Sequence, residues 1–136
     1  MFRLWGLAES GSESKEIQKA AQELMKEQRE DGGWSQLPGL DSKLPGGASD
    51  AYATGSVLTV LRLAGKLSQE DSNFQRGIQF LLRTQLPDGS WHVVSRSKPF
   101  QPYFESGFPH GMDQFISMAA AGWATSALVL AGEPKP

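Results

Sequence analysis

Apolar residues along the chain follow two alternating patterns. From Lys15 to Gln28, Ile17, Ala20, Ala21, Leu24 and Met25 fall at i, i+3, i+4, i+7 and i+8, with Lys, Glu and Gln between them. That spacing predicts an amphipathic helix with one buried stripe. Asp50 to Ala64 is apolar around most of its circumference and predicts a helix buried on nearly all sides, stopped at Gly65. A second one-sided pattern covers roughly 69–85, where Ser68 followed three residues later by Asp71 resembles a capping box. The last pattern, roughly 113–131, is rich in Ala with Phe115, Ile116, Met118, Trp123, Leu128, Val129 and Leu130, and stops at Gly132. It is short for a bilayer crossing and is broken by Ser117, Thr125 and Ser126, so a buried helix rather than a transmembrane segment is expected. The order is outer, inner, outer, inner, joined as hairpins, and the fold class is all-α. Residues 2–7 are apolar and read as the remnant of a preceding core helix, with Glu9–Ser14 as a connector.

The pattern also repeats. Gln28 and Gln85, Gly32 and Gly89, and Trp34 and Trp91 are each 57 residues apart, and the same offset aligns Ile17 with Phe74, Ala21 with Ile78, Leu24 with Leu81 and Met25 with Leu82. Leu61, Leu63 and Gly65 match Leu128, Leu130 and Gly132 at 67 residues, so the inner helices repeat too, with a longer second loop. Such self-similarity implies stacked units that each need a neighbour to bury an apolar face. The glycine ends the helix with a tight turn, and the Trp folds back over the helix end with its indole N–H seeking an acceptor. Trp34 and Trp91 are therefore expected to be structural.

These two stretches resemble the QW repeat of squalene and oxidosqualene cyclases and, more loosely, of protein prenyltransferase β subunits. The second copy matches best, with Arg76-Gly77, Phe80-Leu81, Gln85, Gly89 and Trp91, whereas the first has Leu24-Met25 in place of the aromatic pair. The resemblance implies an α/α toroid in which five to seven hairpins enclose an apolar cavity. Residues 1–136 would form a single segment of it, the C-terminal part of a longer array, and its partners would be other toroid repeats or a second copy of itself.

Composition removes several other readings. Thirteen basic and fifteen acidic residues give a net charge of −2, which provides no footprint for nucleic acid. The absence of Cys removes disulfides, thiolate zinc sites and Cys nucleophiles. No cofactor is expected. The N-terminal apolar run is too short for a signal peptide and says nothing about the compartment.

Candidate chemistry sits where the inner helices begin, because in the resembling families that end faces the cavity. Squalene–hopene cyclases hold an Asp-x-Asp-Asp acid cluster there, whereas Ala48-Ser49-Asp50-Ala51 offers one carboxylate. The β subunits place a zinc-binding Cys two residues after an Asp, and here that place is Tyr52. Asp50, His110 and Asp113 are the candidates for proton transfer, set against helix capping as the plainer role. His110 and Asp113, with His92 or Glu105, have a spacing compatible with a metal, although loop locking is the commoner use of such groups and no metal is expected. Tyr52, Phe100, Tyr103, Phe104, Phe108 and Trp123, with Trp5, are the candidates to line a cavity for an apolar small molecule; their π faces would suit a developing carbocation. The 92–112 segment holds three prolines and four aromatics, which argues for an ordered lid rather than a disordered linker. Taken together, the residues point to a binding or scaffold module with an apolar inner face. The alternative is part of an isoprenoid cyclase or lyase that uses a carboxylic acid as proton donor.

Overall fold

The computed structural model describes residues 1–44, 46–98 and 102–132. Among them the regular elements are helices: α1 (Phe2–Glu9), α2 (Ser14–Lys26), α3 (Ala51–Leu63), α4 (Ser72–Thr84) and α5 (Gln114–Gly132), the last preceded by one 3-10 turn at Gly111–Asp113. α3 lies at the centre, in its most extensive contact with α5 and also against α4 and α1. Ten of its residues, from Ala51 through Leu61 with Tyr52 excepted, are buried. Leu58, Val60 and Leu61 meet Phe74, Leu81, Ala120 and Ala124 in one core. α2 and α4 are amphipathic, each burying a single stripe: Ala20, Ala21 and Leu24 on one, Phe74, Ile78 and Leu81 on the other.

Local chemistry shifts several boundaries from the sequence expectation. The second outer helix starts at Ser72 because Asp71, not Ser68, is its cap, its carboxylate accepting the N–H groups of Asn73 and Phe74. α2 ends at Lys26, which leaves Gln28 beyond the helix. The left-handed residue past α3 is Lys66 rather than Gly65. The remnant at residues 2–7 is a short helix that extends to Glu9 and anchors itself through Leu4.

The largest difference concerns α5. It buries only Gln114, Ser117, Ala120, Ala124 and Ala127, one stripe facing α3, and leaves Phe115, Met118 and Val129 exposed. α3 is enclosed because neighbours flank it on several sides; the far side of α5 has none among the described residues. The stretch Gly111–Gly132 is long and apolar enough to cross a membrane by length and composition, with 22% of its most apolar window buried.

The two turns are built alike. Gln28 Nε2 donates to Gly32 O at 2.9 Å and Gln85 Nε2 to Gly89 O at 3.0 Å. Asp31 accepts the Gly33 N–H and Asp88 the Ser90 N–H. Gly32 and Gly89 hold φ of 86° and 84°, a region glycine adopts without strain. Trp34 Nε1 donates to Leu24 O at 2.8 Å and Trp91 Nε1 to Leu81 O at 2.9 Å, so each indole satisfies a carbonyl at the end of its own outer helix.

Candidate functional site

The starts of α3 and α5 grip the same extended segment. Asp50 caps α3, Oδ1 accepting the Ala53 N–H at 2.9 Å, while Oδ2 accepts Gln36 Nε2 at 2.9 Å and Arg96 Nη2 at 3.1 Å. Arg96 also reaches Ala48 O and Ser35 Oγ, pinning the strap after Trp91 to the loop before α3. One residue earlier, the Ser95 N–H donates to Asp113 Oδ1 at 2.8 Å, and Asp113 Oδ2 pairs with His92 Nε2 at 2.8 Å. Asp50 and Asp113 thus meet through Ser95 and Arg96, two residues that the sequence reading passed over. An isolated Arg between serines was the available signal, since a guanidinium there must either find acceptors or remain in solvent.

His110 belongs to a second chain of bonds. Ser90 Oγ donates to Asp88 at 2.7 Å and meets His110 Nε2 at 2.9 Å, while the His110 ring stacks on His92 with centroids 4.8 Å apart and planes within 8°. His110, at φ 86°, owes its place to this polar anchoring, and Phe108 adds an edge contact to its ring. The buried Gln114 fixes the loop beyond: its amide accepts from the Ser106 N–H at 2.6 Å and from the Ser106 hydroxyl, and donates to Phe104 O at 2.8 Å. Tyr103 donates its hydroxyl to Glu105. That bond lowers the Glu105 pKa and raises that of the tyrosine. Among the described residues no three His, Asp or Glu side chains cluster as a metal would require.

Between these anchors lies a cleft of about 510 Å³. Tyr52 from α3, Tyr103 and Phe104 from the loop, and Met112, Phe115 and Ile116 around the start of α5 line it, with Arg96 and Lys98 on its strap side. Of the aromatic candidates, Tyr52, Tyr103 and Phe104 come together here. Phe108 packs on His110 instead, Trp123 makes an edge contact with Trp5 at 6.3 Å, and Phe100 lies outside the described residues.

A family model for the squalene-hopene cyclase C-terminal domain matches residues 2–116. The chain belongs to this family. The five helices among the described residues are accordingly a fragment of an α/α toroid, with α1, α3 and α5 as inner and α2 and α4 as outer helices. No solved structure matches the chain. In this squalene-hopene cyclase domain the two carboxylates at the inner-helix starts act as acceptors. Burial opposes the charge on Asp113, but the Ser95 N–H, the His92 hydrogen bond and the electrostatic influence of His92 and His110 outweigh it and hold the pKa below its ordinary 3.8. A proton donor to an alkene needs the opposite shift.

The sign of that shift fixes a pH dependence. A carboxyl with a depressed folded-state pKa stabilises the fold above its unfolded pKa, and the contribution is lost as pH falls through the folded value. Asp113→Asn should therefore be less stable than the parent near neutrality by about 1 kcal/mol, the net scale of one intramolecular hydrogen bond. In urea titrations the gap should close as the pH drops below about 4, where the unfolded carboxyl protonates. A gap independent of pH would mean that the ionised carboxylate contributes nothing.

Proposed function

We propose that this domain is a binding module of the squalene-cyclase type, in which the cleft at the starts of α3 and α5 holds an apolar small molecule. The observation that carries the reading is the lining: Phe104, Tyr103 and Phe115 are about half exposed or more around the cleft, whereas Trp34, Phe74, Phe80 and Trp91 are buried in the core. Large apolar side chains kept open at a concave surface suit an apolar ligand, and aromatic walls suit a flat or polyene body. The acid chemistry of the alternative, a cyclase or lyase segment, finds less support. Asp50 is held by a guanidinium and a backbone N–H, and the Asp113 pKa is shifted the wrong way for a donor.

Titration with a neutral apolar fluorophore such as Nile red, displaced by squalene, tests this. Saturable binding is expected, weakened about tenfold in Phe104→Ser, the scale of losing one aromatic contact to the ligand. Because Phe104 is mostly exposed, that variant should melt like the parent. Unchanged affinity in Phe104→Ser would move the site elsewhere. Cyclised product after incubation of this chain with squalene would favour the enzyme reading instead.

A further inference from the structure

We propose that the cleft takes a linear amphiphile with a single negative charge, a long-chain carboxylic acid, whose hydrocarbon lies along Phe104, Met112, Phe115 and Ile116 and whose carboxylate is held by Lys98. The inference rests on the cleft reading above and adds to it the chemistry of the ligand's polar end. The volume of about 510 Å³ lies within the ~300–1,000 Å³ usual for small-molecule sites.

The cleft is two-sided. The loop and the start of α5 supply the apolar wall, while the strap supplies Ser95, Arg96, Ser97 and Lys98 in succession, next to Gln36, which shares the Asp50 carboxylate with Arg96. A run of polar residues facing an apolar wall is a poor match for a ligand that is apolar throughout, because hydrocarbon laid over it takes water from polar groups and returns no hydrogen bond. A ligand with one polar end avoids that loss. Ser95 and Ser97 already favour such an end: their hydroxyls lie 3.2 Å apart, so one donates to the other and a second proton remains to be donated.

Charge decides which polar end fits. Among the described residues no Asp or Glu lines the cleft, and the three carboxylates bonded to its lining are already engaged. Asp50 accepts from Arg96, Gln36 and the Ala53 N–H, Asp113 from the Ser95 N–H and His92, and Glu105 from the Tyr103 hydroxyl and the Gly107 N–H. The Arg96 charge is therefore offset by Asp50 at 3.1 Å. Lys98 differs: it is exposed, and among the described residues it forms neither a hydrogen bond nor an ion pair. One uncompensated ammonium matches one negative charge. A phosphate, with about two, would bring an unmatched charge among three carboxylates.

Displacement of Nile red by laurate and by lauryl alcohol, which has the same hydrocarbon and a neutral end, reads the preference directly. At about pH 8 the acid is ionised and lysine is still charged. Below its micellar range, laurate should then displace the dye about fivefold more tightly than the alcohol, the scale of one partly exposed ion pair. Lys98→Gln should bring the ratio of the two affinities close to one, and Lys98→Glu should reverse it. Because Lys98 is exposed and unbonded among the described residues, both variants should melt like the parent, and a ratio taken within each variant is insensitive to a general change in the cleft. If Nile red and squalene bind but laurate has no advantage over the alcohol, or keeps it in Lys98→Gln, this proposal falls and the apolar cleft stands. Tighter displacement by lauryl phosphate than by laurate overturns it as well, in favour of a polyanion site. Absence of saturable Nile red binding to the parent would overturn both readings.

Discussion

Truncation of either turn tryptophan is expected to cost roughly 3–5 kcal/mol, the range for deleting a large buried side chain. Trp34 and Trp91 are each only 2% exposed, and each indole N–H caps a carbonyl of its outer helix. Trp34→Ala and Trp91→Ala should therefore melt more than about 10 °C below the parent, at about 4 °C per kcal/mol for a chain of this size. Replacement by Phe separates the two contributions. It keeps most of the apolar contact and gives up the hydrogen bond, for which about 1 kcal/mol beyond the lost area is expected. Trp34→Ala should be the more damaging, because its turn also receives Arg76 and Arg83 from α4, while among the described residues no helix side chain bonds to the second turn in the same way. Thermal unfolding followed by circular dichroism decides it: an alanine variant melting within a few degrees of the parent would make the indole dispensable and the repeat merely sequential.

The turns were legible in the sequence because their chemistry is local. Gln, Gly and Trp act within about ten residues of one another, so the spacing that appears on the page is the spacing that makes the bonds. The inner and outer assignment was legible for the same reason, as a periodicity, and α3 and α4 lie where the pattern put them to within a few residues. The enclosure of α5 was not. An apolar helix carries no record of how many neighbours it has, and the stripe holding Phe115, Met118 and Val129 reads the same whether a partner covers it or not. The candidate site divides along the same line. Asp50 and Asp113 stood out as acids at helix starts, but their connection runs through Ser95 and Arg96, which lie 45 and 46 residues from Asp50 and are brought to it by tertiary structure. Gln114 gave no signal at all, since a glutamine at the head of a helix is ordinary until a loop closes over it.

Gly55 was likewise passed over, though a glycine inside a helix usually sacrifices about 1 kcal/mol of helix propensity relative to Ala and so asks for a reason. The reason is the approach of α5: a Cβ on Gly55 would lie 2.6 Å from Ala124 N, 2.7 Å from Trp123 C and 2.9 Å from Ala124 Cα. Those are backbone atoms of a packed helix and cannot turn aside as a side chain would. Gly55→Ala gains propensity but pushes apart the most extensive helix pair of the core, and overpacking of that kind costs about 1–3 kcal/mol, so net destabilisation is expected. Gly122→Ala supplies the internal control, because the same substitution at the corresponding residue of α5 meets no atom within 4 Å. It should stabilise the isolated chain by roughly 0.5–1 kcal/mol. Urea unfolding should therefore move the two midpoints in opposite directions. Equal shifts would mean that α3 and α5 can separate freely, and the core would then owe its stability to the outer helices rather than to the contact between the inner ones.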